Sequence, residues 1–188
     1  MSSPDTALLV IDAQESFRQR PYWDDREVPA FFARLQALVN GAKAAGIPVV
    51  QCFHVEDTGA FSLAAGHVRT LAELTITPDF AFNKRRHSAF VGTELGVWLT
   101  ERGIRRLIVS GIRTEQCCET TTRHASDLGY SVDYVTEATL TFPMVDYNGR
   151  GWRPAEIRER TELVLDGRFA RIVTVKEALA PSRDAIAV

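Results

Sequence analysis

Residues 106–130 read RLIVSGIRTEQCCETTTRHASDLGY, and they decide the fold class. Arg106–Ser110 is a short apolar run without polar alternation, the pattern of a strand covered on both faces. Gly111 breaks it, and the turn through Cys118 leads into a segment with helical spacing that stops at Gly129. Thr114 is placed to act as N-cap with Glu115 in the first turn, which puts Cys117 close to a helix N-terminus. A second apolar run, Ser131–Val135, follows at once. Strand, turn, helix and strand in this order form the unit of a parallel sheet, because parallel neighbours need a crossover.

The same alternation extends in both directions. Ala7–Ile11 (ALLVI) is a continuous apolar run ending at Asp12, and Ile47–Phe53 (IPVVQCF) is another. Between them, Phe31, Leu35, Leu38, Val39 and Ala42 keep helical spacing over Val28–Ala45, with Gly46 and Pro48 as stop signals. Ala170–Val173 closes the series. The expected architecture is α/β: a three-layer αβα, Rossmann-like fold around a central parallel sheet of five or six strands, in one domain over residues 1–188. Ligands of such folds bind at the carboxyl ends of the strands. Asp12, His54 and the turn Gly111–Cys118 fall there. The stretches 55–83 and 139–153 read as irregular and are expected to form lids or rims over that edge.

Whole-chain properties narrow the partners. At 188 residues the chain is long enough to bury a core without disulfides or structural metal, and its net charge of −2 gives no global basic surface for nucleic acid or an anionic membrane. A small-molecule ligand is the expected partner. The start MSSPDTALLVID has no basic flank, and its apolar run is too short for a signal core or a membrane span, so a cytoplasmic location is expected. Cys52, Cys117 and Cys118 cannot make a disulfide framework, and adjacent cysteines lack the C-x-x-C spacing of zinc or thioredoxin-type sites.

Cys117 and Cys118 differ in helical phase. Cys118, Thr121, Thr122, Ala125 and Leu128 form the more apolar stripe, expected to pack on the sheet. Cys117 is rotated by about 100° towards Thr120 and His124 and is expected to be accessible. Helix-start N–H groups favour thiolate and can bind an oxyanion. Against this stands the commoner fate of a free cysteine, as a small buried residue. Asp12 reads equally as a strand-ending turn residue. In the basic run Asn83–His87, flanked by apolar DFAF and SAF, at least one cation is expected to point inward, and pattern alone does not choose Lys84.

Three pieces in order, ALLVIDAQESF, NKRRHSAFVGTELGVWL and RLIVSGIRTEQCCETTTRHASDLGYSVDYVTEA, resemble the isochorismatase-like cysteine hydrolases, the group of nicotinamidases, N-carbamoylsarcosine amidases and isochorismatases. The likeness covers most of the chain, roughly 7–138. It implies a catalytic triad of Asp12, Lys84 and Cys117, a cis peptide between Ile112 and Arg113, and an oxyanion hole from the N–H groups of Arg113 and Cys117. The implied reaction is hydrolysis of a C–N bond in a small amide, ureido or carbamoyl compound. Asp12 takes the thiol proton, Lys84 favours the thiolate, Cys117 attacks, and water activated by Asp12 clears the thioester.

Departures from the family pattern bear on the metal. Family nicotinamidases commonly hold one through D-x-H after the second strand; here the stretch is Cys52-Phe53-His54, and His67 lies in a poorly matched segment. No metal and no cofactor are therefore expected. Gln14 matches the D-x-Q start although Glu15 and Ser16 replace the frequent N-D pair, and is expected to hydrogen-bond near the site. Phe17, Tyr22, Trp23, His54, Phe61, Arg113 and Phe142 are candidate pocket residues from their loops alone. The family implies a homo-oligomer, dimer or tetramer. Two other readings stand beside amide hydrolysis. Isochorismatase-type vinyl-ether cleavage goes in the family with loss of the cysteine, which is retained here. A non-catalytic binding protein on the same fold is the other.

Overall fold

The computed structural model describes residues 5–180; residues 1–4 and 181–188, the two ends of the expected domain, lie outside the described residues. Six strands form one sheet in the order β3-β2-β1-β4-β5-β8, every pairing parallel. They are β1 (Thr6–Ile11), β2 (Val49–His54), β3 (Phe80–Lys84), β4 (Arg106–Ile112), β5 (Ser131–Leu140) and β8 (Arg171–Ile172). A small antiparallel hairpin, β6 (Met144–Val145) with β7 (Gly151–Trp152), stands apart.

Each face of the sheet has its own core. Leu8 and Val10 of β1 join Phe31, Leu35, Leu38, Val39 and Ala42 of α1 (Val28–Ala44) and Val175 and Ala178 of α5 (Val175–Ala178). Ala7, Leu9 and Ile11 face the other way, onto Leu95, Trp98 and Leu99 of α2 (Leu95–Glu101), Ala125 of α3 (Glu119–Asp127) and Leu165 of α4 (Pro154–Leu165). The strict alternation of β1 between two apolar layers explains why its sequence is apolar throughout. Each fully buried leucine contributes roughly 1.5–3 kcal/mol. Pro29 suits the first turn of α1, where its missing N–H costs nothing, and Gly46 at φ +71° lets the chain turn back into β2.

Four expectations need correcting. The stretch 55–83 is not wholly irregular: Phe80–Lys84 forms β3, an edge strand with half-buried Phe80 and Phe82 alternating with exposed Ala81 and Asn83. A short, half-exposed edge strand lacks the continuous apolar run by which its neighbours were read. Thr114 is not the N-cap; Arg113 holds that position, and the Thr114 hydroxyl bonds Thr139 Oγ1 at 2.7 Å. Leu128 is 54% exposed, because α3 ends before it and the stripe on the sheet stops at Ala125. Strand β5 also runs five residues past the expected end, to Leu140, after a register shift against β4 between Val109 and Gly111.

Candidate active site

The strand order reverses at β1. To one side lie β2 and β3, to the other β4 and β5, so the crevice between the carboxyl ends of β1 and β4 is the topological switch point where open α/β sheets bind ligands. Asp12 follows β1 and Cys117 follows β4, on the two sides of this crevice.

Local backbone makes the approach possible. Gly111, at φ +121°, faces Ile11 in the register, and a Cβ built there would lie 1.9 Å from the Ile11 carbonyl oxygen. Only glycine lets β4 come this close to β1. Asp12 itself takes a left-handed conformation, φ +49°, which aspartate tolerates better than most residues. The Ile112–Arg113 peptide is cis, as the resemblance implied.

The turn carrying Cys117 is one turn of π-helix, Thr114–Cys118, running into α3. It is anchored from below. Tyr134 Oη donates to the Thr114 carbonyl at 2.7 Å, and the N–H groups of Gln116 and Cys118 both return to the Arg113 carbonyl at 3.2 Å. Glu115, nearly buried, pairs with Arg113 Nε at 3.0 Å and accepts from Thr141 Oγ1 at 2.6 Å. The two N–H groups expected as oxyanion hole, those of Arg113 and Cys117, belong to this anchored turn.

The three residues of the expected triad come together. Lys84 ends β3, and its Nζ lies 2.7 Å from Asp12 Oδ2 and 3.3 Å from Cys117 Sγ. Both charged side chains are wholly buried. Cys118 is fully buried against the sheet, while Cys117 keeps 6% of its surface, so the phase argument ordered them correctly but overstated the access to Cys117.

Electrostatics also revise the thiolate expectation. Burial pushes the Cys117 thiol up, and the Asp12 charge adds to this; Lys84 opposes but does not reverse it. The balance of these groups favours the thiol over the thiolate. Burial works most strongly against the Lys84 ammonium, but Asp12 together with the neighbouring Cys52 and Cys117 sulfurs raises its pKa, favouring the charged form. Cys52, on β2, points its Sγ at Asp12 Oδ1, 3.9 Å away, and burial raises it too.

The other candidates separate into groups. Gln14 is fully buried and spends its amide on structure: Nε2 donates to Ser16 Oγ (2.9 Å) and the His54 carbonyl (3.0 Å), while Oε1 accepts the His54 N–H (2.7 Å). It fixes the end of β2 and with it His54. The His54 pKa is lowered by burial and by Lys84, which keeps the ring neutral near pH 7. Phe17, Phe61 and Phe142 are packed inside an aromatic cluster, with half-buried Tyr22 and Trp23 against Phe142 at 5.3 Å each. Phe61 sets its edge to His54 at 5.7 Å, and the Arg113 guanidinium lies 5.0 Å from the Tyr22 ring centre. His67 contributes its carbonyl, which accepts from Ser16 Oγ at 3.0 Å.

Sequence reading missed His87. Its Nδ1 lies 3.7 Å from Cys117 Sγ, and its ring is parallel to that of His54, 9° apart in plane with centres at 6.2 Å. The residue stood in the basic run, but nothing in its spacing marked it.

Among the described residues, Asp12, His54 and Cys117 offer ligand atoms within 4.8 Å of one another, a spacing a metal ion can span. The Lys84 ammonium sits against two of these three donors. A buried cation in that place opposes a second one, so the set does not fit a resident metal and no step is routed through one.

A family model described as the isochorismatase domain matches residues 6–153. The chain belongs to the isochorismatase family. Isochorismatase family protein YrdC of Bacillus subtilis is 24% identical over 92% of this chain and 94% of its own. Ureidoacrylate amidohydrolase RutB of Stutzerimonas stutzeri is 27% identical, covering 74% of this chain and 71% of its own. A crystal structure described as a hydrolase of the isochorismatase family, from Chromobacterium violaceum, superposes with a TM-score of 0.84 at 28% identity, over 94% of this chain and 93% of that one. The chain is thus an isochorismatase-family hydrolase, on the expected α/β fold with a six-stranded parallel sheet.

Proposed function

We propose that this hydrolase cleaves a C–N bond of a small amide, ureido or carbamoyl compound through a thioester on Cys117. The observation that carries the reading is the buried contact chain Asp12–Lys84–Cys117, 2.7 Å and 3.3 Å, at the switch point of the sheet. Asp12, within reach of the sulfur, accepts the thiol proton as the sulfur attacks the carbonyl carbon. Lys84 holds Asp12 in place and stabilises the negative charge while it moves between carboxylate and sulfur. The N–H groups of Arg113 and Cys117 receive the oxyanion. Asp12 then gives its proton to the departing nitrogen, the C–N bond breaks, and water releases the acid from the thioester. A raised thiol pKa suits this scheme, since the proton leaves only as the new bond forms. The kinship with an amidohydrolase that acts on a ureido compound supports the substrate class.

The test is an ammonia-release screen over primary amides and carbamoyl or ureido compounds, run with the parent protein and Cys117→Ser. Release by the parent and its loss in the variant is the expected result. Pyruvate formation from isochorismate with no ammonia from any amide overturns the proposal in favour of vinyl-ether cleavage.

A further inference from the structure

The sulfur of Cys117 has two unlike sets of neighbours. Lys84 and Asp12 are wholly buried. His87 is exposed, with Nδ1 3.7 Å from Sγ. We propose that His87 is a further catalytic residue, the base that activates the water which hydrolyses the Cys117 thioester. This rests on the thioester reading above.

Position supports the assignment first. Asp12 is wholly buried with Lys84 and Cys52 against it. His87 is exposed within 3.7 Å of the sulfur, so a water coming from solvent can meet its ring beside the thioester.

The second support is that His87, although exposed, sits on fixed backbone. Lys84 Nζ donates to the Arg86 carbonyl at 3.1 Å, tying the preceding residue to the triad. Just after it, Ser88 Oγ bonds His124 Nδ1 at 2.8 Å and the Ala89 N–H donates to Thr121 Oγ1 at 3.0 Å, both on α3. The segment is thus pinned to the lysine and to the helix that starts at the nucleophile. A surface histidine has no need of such support; a base that must hold its distance to a reacting atom does.

The step balances. With the proton of the ring on Nε2, Nδ1 accepts a proton from water as the water oxygen bonds the thioester carbon. The tetrahedral intermediate collapses, the C–S bond breaks, and the imidazolium returns its proton from Nδ1 to the departing sulfur. Acid product and thiol result, with no other reactant.

p-Nitrophenyl acetate separates the two halves of the reaction, because its phenolate leaves without a proton and reports acylation, while steady turnover reports thioester hydrolysis. In His87→Ala and His87→Asn, formation of the acetyl adduct on Cys117, followed by intact mass and peptide mapping, is expected at the parent rate. Decay of the adduct is expected to slow about 100-fold or more, the scale of general-base catalysis. Free imidazole is expected to restore decay in His87→Ala, where the ring has left space, which a merely structural role would not produce. Unchanged decay in both variants, or equal slowing of adduct formation and decay without imidazole rescue, overturns the role of His87 and leaves the thioester reading standing. Absence of any Cys117 adduct in the parent protein and in both His87 variants overturns both.

Discussion

Two carboxylates are buried in this sheet, and they are partnered in opposite ways. Asp133, near the amino end of β5, is gripped by Arg106 Nε at 2.8 Å, by Arg106 Nη2, and by Arg171 at 2.9 and 3.1 Å. Two guanidinium forks use up its lone pairs, and both arginines keep some contact with water, 15% and 60% exposed. Asp12, at the carboxyl end of β1, has a single lysine ammonium, itself wholly buried, and two thiols. A carboxylate held by arginine forks has nothing left to do chemically. One held by a point charge keeps acceptor capacity, and here that capacity faces a sulfur. Burial alone therefore marks neither residue as functional; the partner does.

The contrast is broken most directly in activity. Asp12→Asn is expected to lower hydrolysis of whichever amide the screen identifies by about 10²–10⁴-fold, and Asp133→Asn by less than about threefold. Comparable losses in steady-state rate would erase the distinction.

Stability gives the next largest effect. Lys84→Met strands Asp12 without a counter-charge in a wholly buried place, and about 3–5 kcal/mol is the expected loss in urea unfolding. Adding Asp12→Asn to it is expected to recover part of that loss while activity stays absent. Asp133→Asn is expected to cost less, about 1–3 kcal/mol, because its arginines can turn to solvent. A double variant no more stable than Lys84→Met alone would show that the pair is not coupled.

A further effect concerns the thiol. Since the Cys117 pKa lies above the ordinary thiol range, its alkylation rate is expected to keep rising with pH through the alkaline range, and to be slower in Lys84→Met at any one pH. A rate that levels off near neutral pH would mean a resting thiolate.

The smallest effect is on His54. Its folded pKa is below the ordinary 6.5, so the unfolded chain binds more protons between the two values. The stability this gives is complete above 6.5 and is lost as pH falls from there through the folded value. The parent should therefore lose more urea stability than His54→Gln between about pH 7.5 and 5. Equal losses would show that the ring carries no such linkage.

Much of this was legible in the sequence because the relevant signals are local. The apolar runs of β1 and β4, and that of β2 but for Gln51, reflect apolar layers on both faces, and helical phase placed Cys118 in the core. Strand β3 was hidden because an edge strand alternates and is half exposed, and Lys84 was drawn from the basic run only by resemblance. His87 was hidden for another reason. Its place beside the sulfur depends on where β3 ends relative to α3, a distance across the fold that no spacing in the chain records. The depth of Cys117 was misjudged likewise, since helical phase tells which way a residue points but not what covers it.

The account stands on Cys117 as the reactive sulfur, and site-resolved alkylation tests it most directly. Folded protein treated with iodoacetamide and mapped by peptide mass is expected to carry the label on Cys117, with Cys52 and Cys118 unmodified and no label in Cys117→Ser. Label confined to Cys52 or Cys118, with Cys117 untouched, would contradict it.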